Sequence, residues 1–64
     1  MKVIIHPGGK ELEVPAKKRV ADLLGHLNIN HESVIVSREG QLITHDEPLE
    51  KDDVLEIWEA VSGG

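Results

Sequence analysis

Sixty-four residues make one small domain, which on folding buries only roughly 60% of the surface its unfolded chain exposes. There is no cysteine, so neither a disulfide framework nor a zinc ribbon supports it, and with one Trp, no Phe and no Tyr the core has to be aliphatic. Twelve acidic against seven basic residues give a net charge of −5, which disfavours direct binding of nucleic acid and points to basic partners. A catalytic pocket is hard to carve from so small a core, so the chain is not expected to be an enzyme. No apolar run approaches the length of a membrane span and no signal-peptide pattern opens the chain, so a soluble, cytoplasmic, monomeric protein is expected.

In chain order, Lys2-Val3-Ile4-Ile5-His6 is a short β-rich run, Pro7-Gly8-Gly9 is a turn, and Lys10-Glu11-Leu12-Glu13-Val14 alternates with Leu12 and Val14 on one face. Together they predict a β-hairpin that Pro15 ends, because proline has no N–H to give to a ladder. The period then changes. Val20, Leu23, Leu24 and Leu27 fall at i, i+3, i+4 and i+7, the apolar stripe of one short helix. Asn28 fits just past its end, since Asn tolerates the left-handed conformation. The start is unusual: no Ser, Thr, Asp or Asn stands at the cap, and Lys17, Lys18 and Arg19 crowd the positive end of the helix dipole, which reads as exposed charge at a cost of a few tenths of a kcal/mol. A loop over 29–33 leads to a third strand at Val34-Ile35-Val36-Ser37-Arg38, Glu39-Gly40 turns it, and Gln41-Leu42-Ile43 has room for a fourth stub. Residues 44–51 read as an irregular crossing anchored by Leu49. Asp52-Asp53 turns into a last strand from Val54 to Ala60. The pattern is α+β: a mixed sheet of four to five strands with one helix on one face.

Strand parity divides the residues into two sets. Glu56 belongs in water, so Leu55 and Ile57 face the helix with Val3, Ile5, Leu12, Val14, Val20, Leu23, Leu24, Leu27, Val34, Val36 and Leu49. Trp58 then shares the outer face with Glu56, and Ile4 and Ile35 join it there. An exposed cluster of this kind marks a partner-binding surface, and Trp is enriched at interface hot spots. The four histidines, His6, His26, His31 and His45, show no metal-ligand spacing and read as solvated, with no metal site. The sequence closes on Gly63-Gly64, directly after the strand pattern and three small residues. Two residues without Cβ make a narrow and conformationally free end, and we expect residues 1–60 to form the domain and 61–64 a flexible tail.

The hairpin, the single helix, the Asp52-Asp53-Val54-Leu55-Glu56-Ile57 segment and the Ala60-Val61-Ser62-Gly63-Gly64 end together resemble the ubiquitin-like β-grasp family, and within it the small sulfur carriers of the ThiS/MoaD type. The resemblance spans the whole chain. It implies that the first strand lies beside the last, so both termini come from central strands. It implies a carrier whose partners are an adenylating, activating enzyme of the kind that serves ubiquitin-like proteins and a sulfur-transfer acceptor enzyme (a tRNA thiolase or thiazole synthase), with a cysteine desulfurase or rhodanese feeding sulfur indirectly. No cofactor is bound by the chain itself, and ATP is used by the activating enzyme. Gly64 becomes first an acyl-adenylate and then a thiocarboxylate, while Gly63, Ser62 and Val61 form a slim tether. The tail lacks the Gly-Gly-Gly or Val-Gly-Gly run of thiamine-type carriers and the Pro-Pro or Phe-rich approach of molybdopterin-type ones. It looks more like the carriers serving 2-thiouridine formation in transfer RNA, with thiamine thiazole next and molybdopterin third. The alternatives are a protein modifier conjugated to lysines through Gly64 and a β-grasp binding module whose tail is incidental.

Overall fold

The computed structural model describes residues 1–59. Strand β1 (Lys2–His6) and strand β2 (Lys10–Glu13) form the antiparallel hairpin, with Val3 opposite Leu12 and Ile5 opposite Lys10. Their turn requires glycine: Gly8 and Gly9 hold φ of 105° and 66°, a region costly for any residue with a Cβ. The ladder runs one pair further. The Val14 N–H donates to the Met1 carbonyl and the Met1 ammonium to the Val14 carbonyl, both at 3.0 Å, so the pairing stops where Pro15 begins.

Helix α1 (Val20–His26) buries Val20, Leu23 and Leu24, the face set by their spacing. Its C-terminus closes as a Schellman motif. Asn28 takes φ 61°, its N–H donates to the Gly25 carbonyl at 3.2 Å, and the Ile29 N–H reaches back to the Leu24 carbonyl at 2.9 Å. The N-terminus has no side-chain cap. Its orphan donors are met from a distance instead, by the segment over 44–51: Ala21 N–H donates to the His45 carbonyl (2.7 Å) and Val20 N–H to the Glu47 carbonyl (3.1 Å). That segment is itself fastened, since the Leu49 N–H donates to the Lys18 carbonyl at 2.8 Å. At its start the Thr44 hydroxyl donates to the Asp46 carboxylate at 2.6 Å, and this hydrogen bond above all holds the Asp46 carboxyl below the ordinary aspartate range. The loop over 29–33 contains a 3₁₀ turn, His31–Ser33, capped by the Asn30 side chain, which accepts from the Glu32 N–H at 2.9 Å.

Strand β3 (Val34–Arg38) turns through Glu39 and Gly40, both at positive φ (54° and 79°), into β4 (Gln41–Ile43). Two left-handed residues match a two-residue hairpin to the twist of its strands. Strand β5 (Val54–Glu59) completes a five-stranded sheet in the order β2-β1-β5-β3-β4. β1 and β5 run parallel, and the other pairs are antiparallel. Arg38, at the end of β3, ties the approach to β5: its guanidinium donates to Glu47 Oε2 (2.8 Å), Asp53 Oδ2 (3.2 Å) and the Pro48 carbonyl (3.1 Å).

The helix covers one sheet face. Val3, Val14, Val20, Leu23, Leu24, Val36, Leu55 and Ile57 are buried there, with Ile5, Leu12, Leu27, Val34 and Leu49 half-buried against them. Met1, Ile29 and Ile43 join the same cluster, beyond the residues that periodicity singles out. One helix crossing a mixed sheet whose first and last strands are neighbours is the ubiquitin-like β-grasp fold.

Candidate functional site

The face of the sheet opposite α1 is uncovered among the described residues, and it differs in chemistry from the helix side. The register places His6 beside Trp58 and Trp58 beside Ile35 in one row, and Ile4 beside Glu56 and Glu56 beside Ser37 in the next. Trp58 is 44% exposed and Ile35 48% exposed. Alternation along β5 explains this: Leu55 and Ile57 point into the core, so Glu56 and Trp58 point away from it. Leu42 and Val54 are also exposed, Leu42 opposite Ser37 and Val54 opposite Lys2. Ile4 shares the face but is half-buried in the row between Glu11 and Glu56, so it forms part of the floor and is not an exposed member of the cluster.

One ring stack and two hydrogen bonds hold this surface in one arrangement. The His6 ring stacks on the Trp58 indole with centroids 4.0 Å apart and planes 13° from parallel. His6 Nε2 lies 2.8 Å from Glu56 Oε2, and because an ionised carboxylate only accepts, the ring carries its proton on Nε2 when neutral. The Trp58 Nε1–H points to Ser37 Oγ at 3.4 Å, and Ser37, only 6% exposed, lies at the base of the face. The indole is thus held by one ring face and by its N–H while Trp58 remains 44% exposed, which removes much of the rotamer entropy a partner would otherwise have to overcome.

His6 corrects the expectation of four solvated histidines: it is half-buried, stacked and hydrogen-bonded. His31 and His45 also meet, with ring centroids 4.5 Å apart and planes at 25°. Both proximities come from tertiary structure. Their spacing in the sequence carries no signal, although the outward parity of His6 on β1 could have placed it near Trp58. Among the described residues no three His, Cys, Asp or Glu side chains converge to hold a metal ion, and no helix is long and apolar enough to cross a membrane. The tail residues Val61, Ser62, Gly63 and Gly64, and Ala60 before them, lie outside the described residues. The last strand is described to Glu59, in the middle of the sheet, five residues before Gly64 in the sequence.

Comparison with known proteins agrees with this architecture. The chain is 34% identical over 65 aligned residues to the sulfur carrier protein TtuB of Thermus thermophilus, with both proteins covered along their full lengths. The ThiS family matches residues 3–64, which takes in β1 from its second residue, the other four strands, the helix and the terminal Gly-Gly. With nearly its whole length matched, the chain belongs to the ThiS family.

Proposed function

We propose that this protein is a sulfur carrier whose working group is the Gly64 carboxylate. The observation that carries the reading is the likeness along the full length to a protein named as a sulfur carrier, combined with a family match that runs through Gly64. An adenylating enzyme binds the uncovered sheet face through Trp58 and Ile35, with Ile4 beneath them. Gly63-Gly64 then enters its active site as part of a slim tail over 61–64. The Gly64 carboxylate attacks the α-phosphate of ATP, pyrophosphate leaves, and an acyl-adenylate results. Sulfide attacks the acyl carbon, AMP leaves, and a thiocarboxylate remains on Gly64. A persulfide donor instead displaces AMP to form an acyl disulfide. A second thiol of the donor cleaves its S–S bond, leaving the thiocarboxylate on Gly64 and a disulfide on the donor. The carrier body supplies no acid, base or metal to these steps. It supplies recognition, and a tail thin enough for close approach, where a Cβ would either clash or exclude backbone conformations open to glycine. The composition of the tail favours 2-thiouridine formation in transfer RNA as the destination of the sulfur, ahead of thiamine thiazole and molybdopterin.

The test is intact-mass measurement after incubation with an adenylating enzyme, ATP and a sulfur donor. The wild-type chain should gain the mass difference of one oxygen replaced by sulfur, located on Gly64. Gly63→Ala should keep the fold and still bind, yet lose most of that product. A chain truncated after Ser62 should melt as the wild type does but drive no ATP–pyrophosphate exchange. Exchange driven by the truncated chain overturns the proposal.

A further inference from the structure

At the Glu59 end of β5 a notch of about 340 Å³ lies between His6, Pro7, Trp58 and Glu59. We infer that this notch receives an arginine side chain of the adenylating enzyme, an assignment that rests on the open sheet face being the docking face. The walls have two chemistries. The stacked His6–Trp58 pair and Pro7 line the notch with rings, while Glu59, an exposed acidic residue at the end of β5, lines it as well and brings negative charge beside it. A guest that satisfies both has an apolar stem and a cationic head, which among protein side chains means arginine or lysine. Arginine fits better. Its planar guanidinium lies flat against aromatic surface, is more weakly hydrated than an ammonium, and pairs with a carboxylate through two parallel hydrogen bonds.

The surrounding charge favours the same guest. Glu56 spends one oxygen on His6, and among the described residues the other has no hydrogen-bond donor. Lys2, a cation on the same face, is paired with Glu11 at 3.3 Å. The chain as a whole carries −5. The arrangement is also fixed beforehand, because the His6 stack and the Ser37 hydrogen bond already hold the indole. Position along the chain bounds where the arginine must be. Gly64 follows Glu59 by five positions, and an extended chain covers at most about 3.6 Å per residue. The Gly64 backbone therefore lies within about 18 Å of the Glu59 backbone, so an arginine seated here is near the place where Gly64 is adenylated, and it aims the tail at its start.

Two measurements test this. The first uses the sole Trp of the chain as a reporter. The peptide acetyl-Gly-Arg-Gly-amide should change Trp58 fluorescence saturably, and its citrulline counterpart, equal in shape but uncharged, should not. Equal responses to the two peptides, or none to either, overturn the assignment. The second is calorimetric titration of the adenylating enzyme with wild type, Glu59→Gln, Glu59→Lys and Trp58→Ala, each checked by a thermal melt. Glu59→Gln should bind about fivefold more weakly with a shallower salt dependence, and Glu59→Lys weaker still, as expected when one partner of an interfacial charge pair is lost or reversed. Reversal of one enzyme arginine near its ATP site to glutamate should restore binding to Glu59→Lys. If Trp58→Ala weakens binding while both Glu59 variants bind as wild type does, the arginine assignment falls and the docking face stands. If all three bind as wild type does, the docking face itself is wrong.

Discussion

The two faces of the sheet are made by alternate residues of the same strands, yet they solve different problems. Toward the helix, Val3, Val36, Leu55 and Ile57 are aliphatic and almost fully enclosed. Away from it, His6, Glu56, Trp58 and Ser37 form a surface joined by a ring stack and two hydrogen bonds, with Ile35 and Leu42 left exposed. The first face is fixed by excluded water and shape, which ask only for apolar volume in the right places. The second is fixed by directional contacts among particular residue types. Along the middle of β5, stability and recognition are thus separated by parity, and substitutions of the neighbours Ile57 and Trp58 should affect different measurements.

The largest expected effect is on the helix side. Leu24 is buried at the centre of the α1 face, and Leu24→Ala should cost roughly 2–5 kcal/mol by leaving a cavity in a core with few residues to close it. Denaturant unfolding of the variant measures the loss, and a midpoint equal to that of wild type would break the division between faces. Trp58→Ala tests the other side. Partner binding should weaken about thirtyfold, since a held, central indole is commonly worth 2 kcal/mol or more at a hot spot. Stability should fall by no more than about 1.5 kcal/mol, the range of one aromatic stack. A melt that collapses on this substitution would assign Trp58 to the core and erase the comparison.

The helix side was legible in the sequence because periodicity reports burial directly. The Val20–Leu23–Leu24 stripe, the parity of Leu55 and Ile57, and the Asn28 stop each follow from spacing or from a backbone preference of one residue. The parallel β1–β5 neighbourhood was not legible from spacing, and came only with the resemblance to β-grasp proteins. On the open face, parity located Trp58 and Ile35, but the histidine that locks the indole went unread because His6 and Trp58 lie far apart in the chain. The capping of α1 was hidden for a related reason. Rules for helix starts look for a neighbouring side chain, and here the acceptors are the carbonyls of His45 and Glu47. Contacts that depend on the path of an irregular segment leave no period to detect.

Gly25 offers a smaller test, confined to the helix side. It sits within α1 at ordinary helical φ, and a Cβ there would meet nothing within 4 Å. Gly25→Ala should therefore stabilise the protein by about 0.4–1 kcal/mol, by narrowing the unfolded ensemble and improving helix propensity. Affinity for the partner should not change if recognition belongs to the other face. A loss of affinity in this variant would show that the partner also reads the helix.

The smallest expected effect asks whether an ionisable group contributes to the helix side at all. Asp46 lies in the segment whose carbonyls cap α1, and its carboxyl is held below the ordinary aspartate range chiefly by the Thr44 hydroxyl, then by a backbone hydrogen bond. A carboxyl whose pKa is depressed on folding adds stability at pH above its unfolded value, and that contribution disappears as pH falls through the folded value. Thr44→Val removes the principal donor while nearly preserving shape. The variant should therefore be slightly less stable than wild type at neutral pH, and the two stability curves should converge in acid, below the ordinary aspartate range. Because every other ionisable group is common to both proteins, the difference between the curves isolates Asp46. Asp46 is exposed, so raising the salt concentration should affect the difference little if it arises from the short hydrogen bond and strongly if it arises from the charges of His45 and Arg19. Curves that stay parallel down to the most acidic pH would show that the segment holds the helix through its backbone alone.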